Sequence, residues 1–173
     1  MSFIMNEPKH PSYAPGWFLA EDEMCIRETR QVAQDSALAK DGETGGKYVP
    51  MGTAYPTNDA NAVGILYEDV DVSTGNMPGS VVLKGHVYED RLAVTGATYS
   101  SATVPEGGNP AELGLYERSG SSPNYVYTPT TDTEAASGKT YYSKTLTRLA
   151  SAAKTALAAL GFTFTTAPAV TRP

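Results

Sequence analysis

The chain has 173 residues, of which 40% are hydrophobic and 18% charged, enough for one real core with a small extra module and too short for two large domains. Its formal net charge of -6 and sequence pI near 4.9, without a visible Lys/Arg cluster, argue against nucleic-acid binding. Cys25 is the single cysteine, which excludes an intrachain disulfide framework and a multi-cysteine metal site; 16 Gly, 12 Pro and 11 Tyr favour sheets, turns and extended arms over helical bundles.

In chain order, residues 1–46 read as an extended arm, because Pro8, Pro11 and Pro15 interrupt any helix and apolar residues are sparse. Phe3, Ile4, Tyr13, Trp17 and Phe18 are large side chains with no core of their own on such a segment, so they are expected to be buried on a neighbouring surface. Residues 27–39 could form a short helix with a poor apolar pattern, ended by Gly42, Gly45 and Gly46. Strand-like structure begins at Tyr48. Val63, Ile65 and Tyr67 then alternate with Gly64, Leu66 and Glu68, and Val70 and Val72 continue against Asp69 and Asp71, which is the period of a half-buried strand. Residues 73–79 are dense in turn formers and 81–87 resume β-branched character, so the unit reads as a hairpin or close meander.

One more strand is expected within 93–101, followed by a plain linker at 104–110. Three short aromatic strand candidates come next, at 113–117, 124–128 and 139–143, separated by Ser/Gly- and Thr-rich loops. Leu146, Leu149, Ala150, Ala153, Ala156, Leu157 and Leu160 recur at helical spacing, Ser143 or Thr145 can cap the start, and Gly161 stands where a C′ residue belongs. Residues 162–166 alternate as a last strand. The expected fold class is therefore mainly β with one C-terminal α-helix (α+β).

Groups that could carry chemistry are few. The 42–47 glycine run lacks both the spacing and the hydroxyl of a phosphate-binding loop, and reads as a junction. Residues 69–75 alternate oxygens as a calcium loop does, but their glycine is displaced and no acidic residue closes the loop. His10 lies on the arm, and His86 reads as a cross-strand neighbour. Glu21, Asp22 and Glu23, like Glu89 and Asp90, are adjacent carboxylates that point to opposite faces of an extended segment. Cys25 sits in acidic surroundings that disfavour its thiolate. No catalytic residue, metal or cofactor is expected. Tyr116, Tyr125, Tyr127, Tyr141 and Tyr142 could fill the core of a small sheet or form a sugar-binding surface.

Ala62-Val63-Gly64-Ile65-Leu66, followed some twenty residues later by Tyr88-Glu89-Asp90 and then Arg91-Leu92, resembles the core strand and the tyrosine-glutamate-aspartate triplet of the head decoration (capsid cement) proteins of lambda-like tailed bacteriophages. The similarity covers about a fifth of the chain well, and residues 154–170 also look like the family's closing helix and strand. The resemblance implies a compact decoration-type β domain from 47–101 and 145–173, an arm at 1–46 and a small tyrosine-rich β insert at 102–144. It implies a homotrimer on the outer surface of the virion, made in the host cytoplasm, whose arm pairs with the major capsid protein. Ile65, Tyr67, Tyr88, Leu149 and Leu157 are then candidate trimer or core contacts. Neither nucleic acid nor membrane is expected as a partner, since nowhere do about eighteen apolar residues run together. An alternative is a head fibre or adhesin that binds a host-surface glycan through the insert.

Overall fold

The computed structural model describes residues 15–21, 24–42 and 45–168; Phe3, Ile4 and Tyr13 lie outside them. The protein is mainly β with a single C-terminal helix. Its strands are β1 (Ile26–Val32), β2 (Lys40–Asp41), β3 (Lys47–Val49), β4 (Ala54–Tyr55), β5 (Gly64–Leu66), β6 (Val70–Asp71), β7 (Met77–Lys84), β8 (His86–Tyr88), β9 (Gly96–Ala102), β10 (Tyr116–Ser121), β11 (Asn124–Pro129), β12 (Tyr141–Thr147) and β13 (Thr163–Thr165), with α1 at Ser151–Ala159. They form two compact units, Met1–Thr95 with Arg148–Pro173, and Gly96–Thr147.

The first unit is built on a sheet of order β1-β7-β5-β4, all neighbours antiparallel, with a three-stranded sheet β2-β3-β6 and a parallel pair β8-β13. Successive residues of β5 and β7 enter different cores. Ile65 and Val82 pack with Phe18, Val87, Leu157 and Phe162, while Leu66 and Val81 pack with Val32, Val49, Val70 and Val72. Both faces of the central strands are thus covered, which is why Gly64, Ile65 and Leu66 are all buried and the expected wet face is missing. The expected single strand over 63–72 breaks between Leu66 and Val70, where the chain leaves the main sheet and resumes as β6 in the three-stranded one. Carboxylates hold that break: Glu68 accepts from the Ser80 amide at 3.3 Å, and Asp69 from the Met51 amide at 2.6 Å.

Two other expectations change. Residues 26–32 form a strand that pairs with every residue of β7 except Leu83, not the start of a helix, so the arm as read at 1–46 ends inside the main sheet. Thr29, Val32 and Ile26 are β-branched, and ladder pairing with β7 outweighs the helix preference of Arg, Glu and Gln. The helix is shorter than its apolar stripe suggests: Leu146 belongs to β12 and is exposed, and Ala150 is the N-cap. Asn58 supplies the cap from elsewhere in the chain, its Oδ1 accepting the Ala150 amide at 2.9 Å. Ala153 and Leu157, one helical turn apart, are fully buried, and Gly161 at φ +96° closes the helix as Phe162 donates back to the Leu157 carbonyl.

The second unit is one sheet of order β11-β10-β12-β9. It begins at Gly96 and ends at Thr147, wider on both sides than the 102–144 insert, because β9 and β12 pair along their whole length from Ala102↔Tyr141 to Gly96↔Thr147. β10 and β12 pair only at Tyr116↔Tyr142 and Glu117↔Tyr141. By register Tyr99, Tyr116, Tyr127 and Tyr142 share one face of this sheet.

Candidate interaction surfaces

The described end of the arm, residues 15–20, is a strap laid on β8. Tyr88 donates its amide to the Phe18 carbonyl at 2.7 Å, Ala20 donates to His86 at 2.9 Å, and Leu19 bridges Val87 in antiparallel fashion. Backbone groups, which every residue carries, supply the attachment, and the side chains decide which face is buried. Phe18 is fully buried in the first core, whereas Trp17 is 49% exposed. These two adjacent aromatics were grouped in the sequence as contacts to another protein; the strap spends Phe18 inside its own chain.

Aromatic contacts hold the strap from outside. The Arg91 guanidinium lies 4.7 Å from the Trp17 ring centre and 4.5 Å from that of Tyr88, and donates to the Trp17 carbonyl at 3.0 Å. The Tyr67 ring lies beside Gly16 and carries Arg27 at 4.2 Å. Trp17, Arg91 and Tyr88 therefore form a half-open surface ladder where the chain leaves the described residues toward its start. Of the remaining candidate contacts, Ile65 and Leu157 are core and closed to any partner, and Leu149 is half-buried against the same core.

The sequence did not single out Arg91, although Tyr88-x-x-Arg91 with a preceding tryptophan is the signal that could have done so. Nor did it single out the cleft of about 670 Å³ in the first unit, whose floor includes Val32, Leu38, Val49 and Tyr55 and whose rim carries Asp35 and Asp59. Asp59 is already engaged. It accepts from the Asn61 amide at 2.7 Å and the Thr57 hydroxyl at 2.8 Å, bonds that hold its carboxyl below the usual range.

The acidic pairs noted in the sequence shape turns. Asp71 accepts from the Ser73 hydroxyl at 2.5 Å and amide at 2.8 Å, which lowers its pKa and forms an Asx turn. Glu89 pairs with Lys154 at 2.5 Å, and Asp90 accepts the Ala167 amide at 2.7 Å. His86 is exposed and faces Thr163 across the parallel pair. Among the described residues, no three His, Cys, Asp or Glu converge as metal ligands, and no helix is long and apolar enough to cross a membrane.

In the second unit the rings cover one another. Tyr99 stacks on Tyr127 at 4.0 Å and 2°, with Tyr116 and Tyr142 edge-on to them at 5.3 Å each. Among the tyrosines of this unit only Tyr125, at 39%, is exposed, with Arg118 at 4.3 Å from its ring centre. The opposite face holds a charge network: Lys139 bridges Glu117 at 2.9 Å and Asp132 at 2.7 Å, while the Thr130 hydroxyl donates to Glu117 and the Tyr141 hydroxyl to Asp132. The Thr130 bond, then Lys139, lowers the Glu117 pKa; Lys139, then Tyr141, lowers that of Asp132; and the two carboxylates raise that of Lys139.

A scan against protein-family models and searches among curated proteins and solved structures find no match to the chain.

Proposed function

We propose that the chain is a capsid decoration protein, which adds to the outside of a mature phage head as a homotrimer and holds neighbouring shell subunits together against internal DNA pressure. The observation that carries this reading is the strap. Its six residues attach by strand addition to β8, beside the two runs that resemble the decoration family, and the residues before it include Phe3, Ile4 and Tyr13. An N-terminal segment that continues the same mode of attachment onto a strand of the major capsid protein would gain affinity from main-chain bonds and specificity from those side chains. Trp17, Arg91 and Tyr88 line the point of departure.

Removal of residues 1–14 tests the arm directly, because it stops short of Gly16 and Phe18. The shortened protein should fold and keep its oligomeric state but fail to co-sediment with mature heads. Full occupancy by the shortened protein would sink the reading, as would equal binding of the intact chain to unexpanded and mature heads. The glycan-binding alternative rests on Tyr125 and Arg118. It predicts glycan-array binding that is lost in Tyr125→Ala while head stability is unchanged.

A further inference from the structure

β1 is an edge strand with an open outer side. Six of its seven residues are exposed, and among the described residues β7 is its sole strand neighbour. Its ladder shows which backbone groups point outward. The Tyr67 amide, one residue past β5, donates to the Ser80 carbonyl on the side of β7 away from β1, so Thr29, which faces Ser80 across the ladder, turns its own N–H and C=O away from β7. Gln31 faces Pro78, which has no N–H to offer, and also points outward; its carbonyl accepts the Tyr55 hydroxyl at 2.9 Å. By alternation Arg27 completes the outward set. Among the described residues, that Tyr55 bond is the only hydrogen bond made to the outer edge.

We propose that this edge pairs with the β1 of a second copy of the chain, antiparallel and about a two-fold axis at Thr29. The occupant follows from the order of charges. Outward-facing residues must meet outward-facing residues, so the permitted registers differ by whole steps of two. With Thr29 opposite Thr29, Glu28 of each copy faces Arg30 of the other, and Arg27 faces Gln31. The next register on one side sets Glu28 against Glu28, and on the other side Arg30 against Arg30. Only the register centred on Thr29 is self-complementary, and it contributes two symmetry-related ion pairs from the same residues that already pair within the strand at 2.6 Å. The sheet then runs through both copies as β4-β5-β7-β1-β1-β7-β5-β4. Charges on an edge strand ordinarily discourage pairing; here their order selects one partner and one register.

The contact is two-fold and independent of any threefold assembly. In the decoration reading it joins one trimer to the next. Sedimentation of the intact protein at high micromolar concentration should show a species of twice the mass where the basic unit is a monomer, and doubled or higher species where it is a trimer, which carries three such edges. Glu28→Arg and Arg30→Glu should each weaken the doubling by about tenfold or more, since each sets like charges opposite one another at two symmetry-related places. The double variant Glu28→Arg/Arg30→Glu should restore it, an outcome that general damage to β1 would not give. Thr29→Cys in a Cys25→Ser background should cross-link under mild oxidation, because like residues at the axis lie about 5.5 Å apart between Cα atoms. Arg27→Cys alone should not, since its copies are separated by about 13 Å along the strand.

Absence of a doubled species overturns the proposal, as does doubling that both single variants leave unchanged. If the intact protein does not double and Glu28→Arg instead lowers attachment to heads, the edge belongs to a strand of the shell and pairing between copies is overturned. A doubled species that ignores heads would keep the pairing and sink the decoration role.

Discussion

Gly16 lies where backbone and packing constraints coincide. Its φ is +74°, its amide donates to the Tyr67 carbonyl at 2.8 Å, and a Cβ placed there would lie 2.1 Å from the Tyr67 ring. Gly16→Ala should therefore cost about 1–3 kcal/mol through strain and overlap, read as a lower denaturation midpoint and earlier proteolysis within the strap. Phe18→Ala should cost about 3–5 kcal/mol as a cavity in the first core. Trp17→Ala, by contrast, removes a half-exposed ring and should change stability little. Thr53 makes a different test. Its hydroxyl oxygen is buried with no hydrogen-bond partner among the described residues, so Thr53→Val should be neutral or stabilising by up to about 2 kcal/mol. Sequence reading could see that Trp17 and Phe18 need burial, because large apolar groups on a proline-punctuated segment cannot build a core. It could not see whose surface buries them, since backbone groups make the attachment and leave no mark in residue type.

At the scale of elements, β1 and the second unit show two reasons why a pattern misleads. Residues 26–32 place only Val32 in a core, so the strand has no alternation to read; its partner β7 fixes it instead. The aromatic strands were legible because tyrosine and valine suit a pleated surface, but the stack of Tyr99 on Tyr127 was not. It depends on the register across four strands, which brings residues of β9 and β11 together on one face. The charge network of this unit gives it a defined pH response. Glu117 and Asp132 are both lowered on folding, so their contribution is complete above the ordinary carboxylate range of about 4 and is lost as pH falls through the lowered values. Lys139 is raised, so its contribution is complete below about pH 10 and is lost only above that. The tyrosine near-UV dichroism should accordingly hold its melting midpoint from about pH 5 to 9 and fall steeply below about 4. Lys139→Met should lower the plateau and flatten the acid limb; an unchanged limb would show that the bridge adds nothing.

For the molecule as a whole, the decisive feature is how the chain enters and leaves its second unit. Thr95 and Arg148 are held together within the first unit: the Thr95 hydroxyl donates to the Arg148 carbonyl at 2.8 Å, and the Asn58 amide nitrogen reaches that carbonyl at 3.0 Å and the Thr95 hydroxyl oxygen at 3.2 Å. Asn58 also caps α1 through Ala150, so one side chain ties both stems to the helix. The break in composition after Leu92 made an insert legible. Its true limits were not, because residues 96–101 and 145–147 have strand character that suits either unit and only their mutual pairing assigns them. Excision of Gly96–Thr147, with Thr95 and Arg148 joined by a short glycine-serine link, should therefore leave the first unit folded. The stems already lie within turn distance, and closing a shorter loop lowers the entropy cost. The expected readout is loss of the acid-sensitive tyrosine signal with the remaining thermal transition shifted by only a few degrees. Collapse of that transition would show that the first unit needs the second. In the decoration reading the excised protein keeps residues 1–95 and with them the arm, so it should still bind mature heads; binding lost with the fold intact would move the contact into the insert.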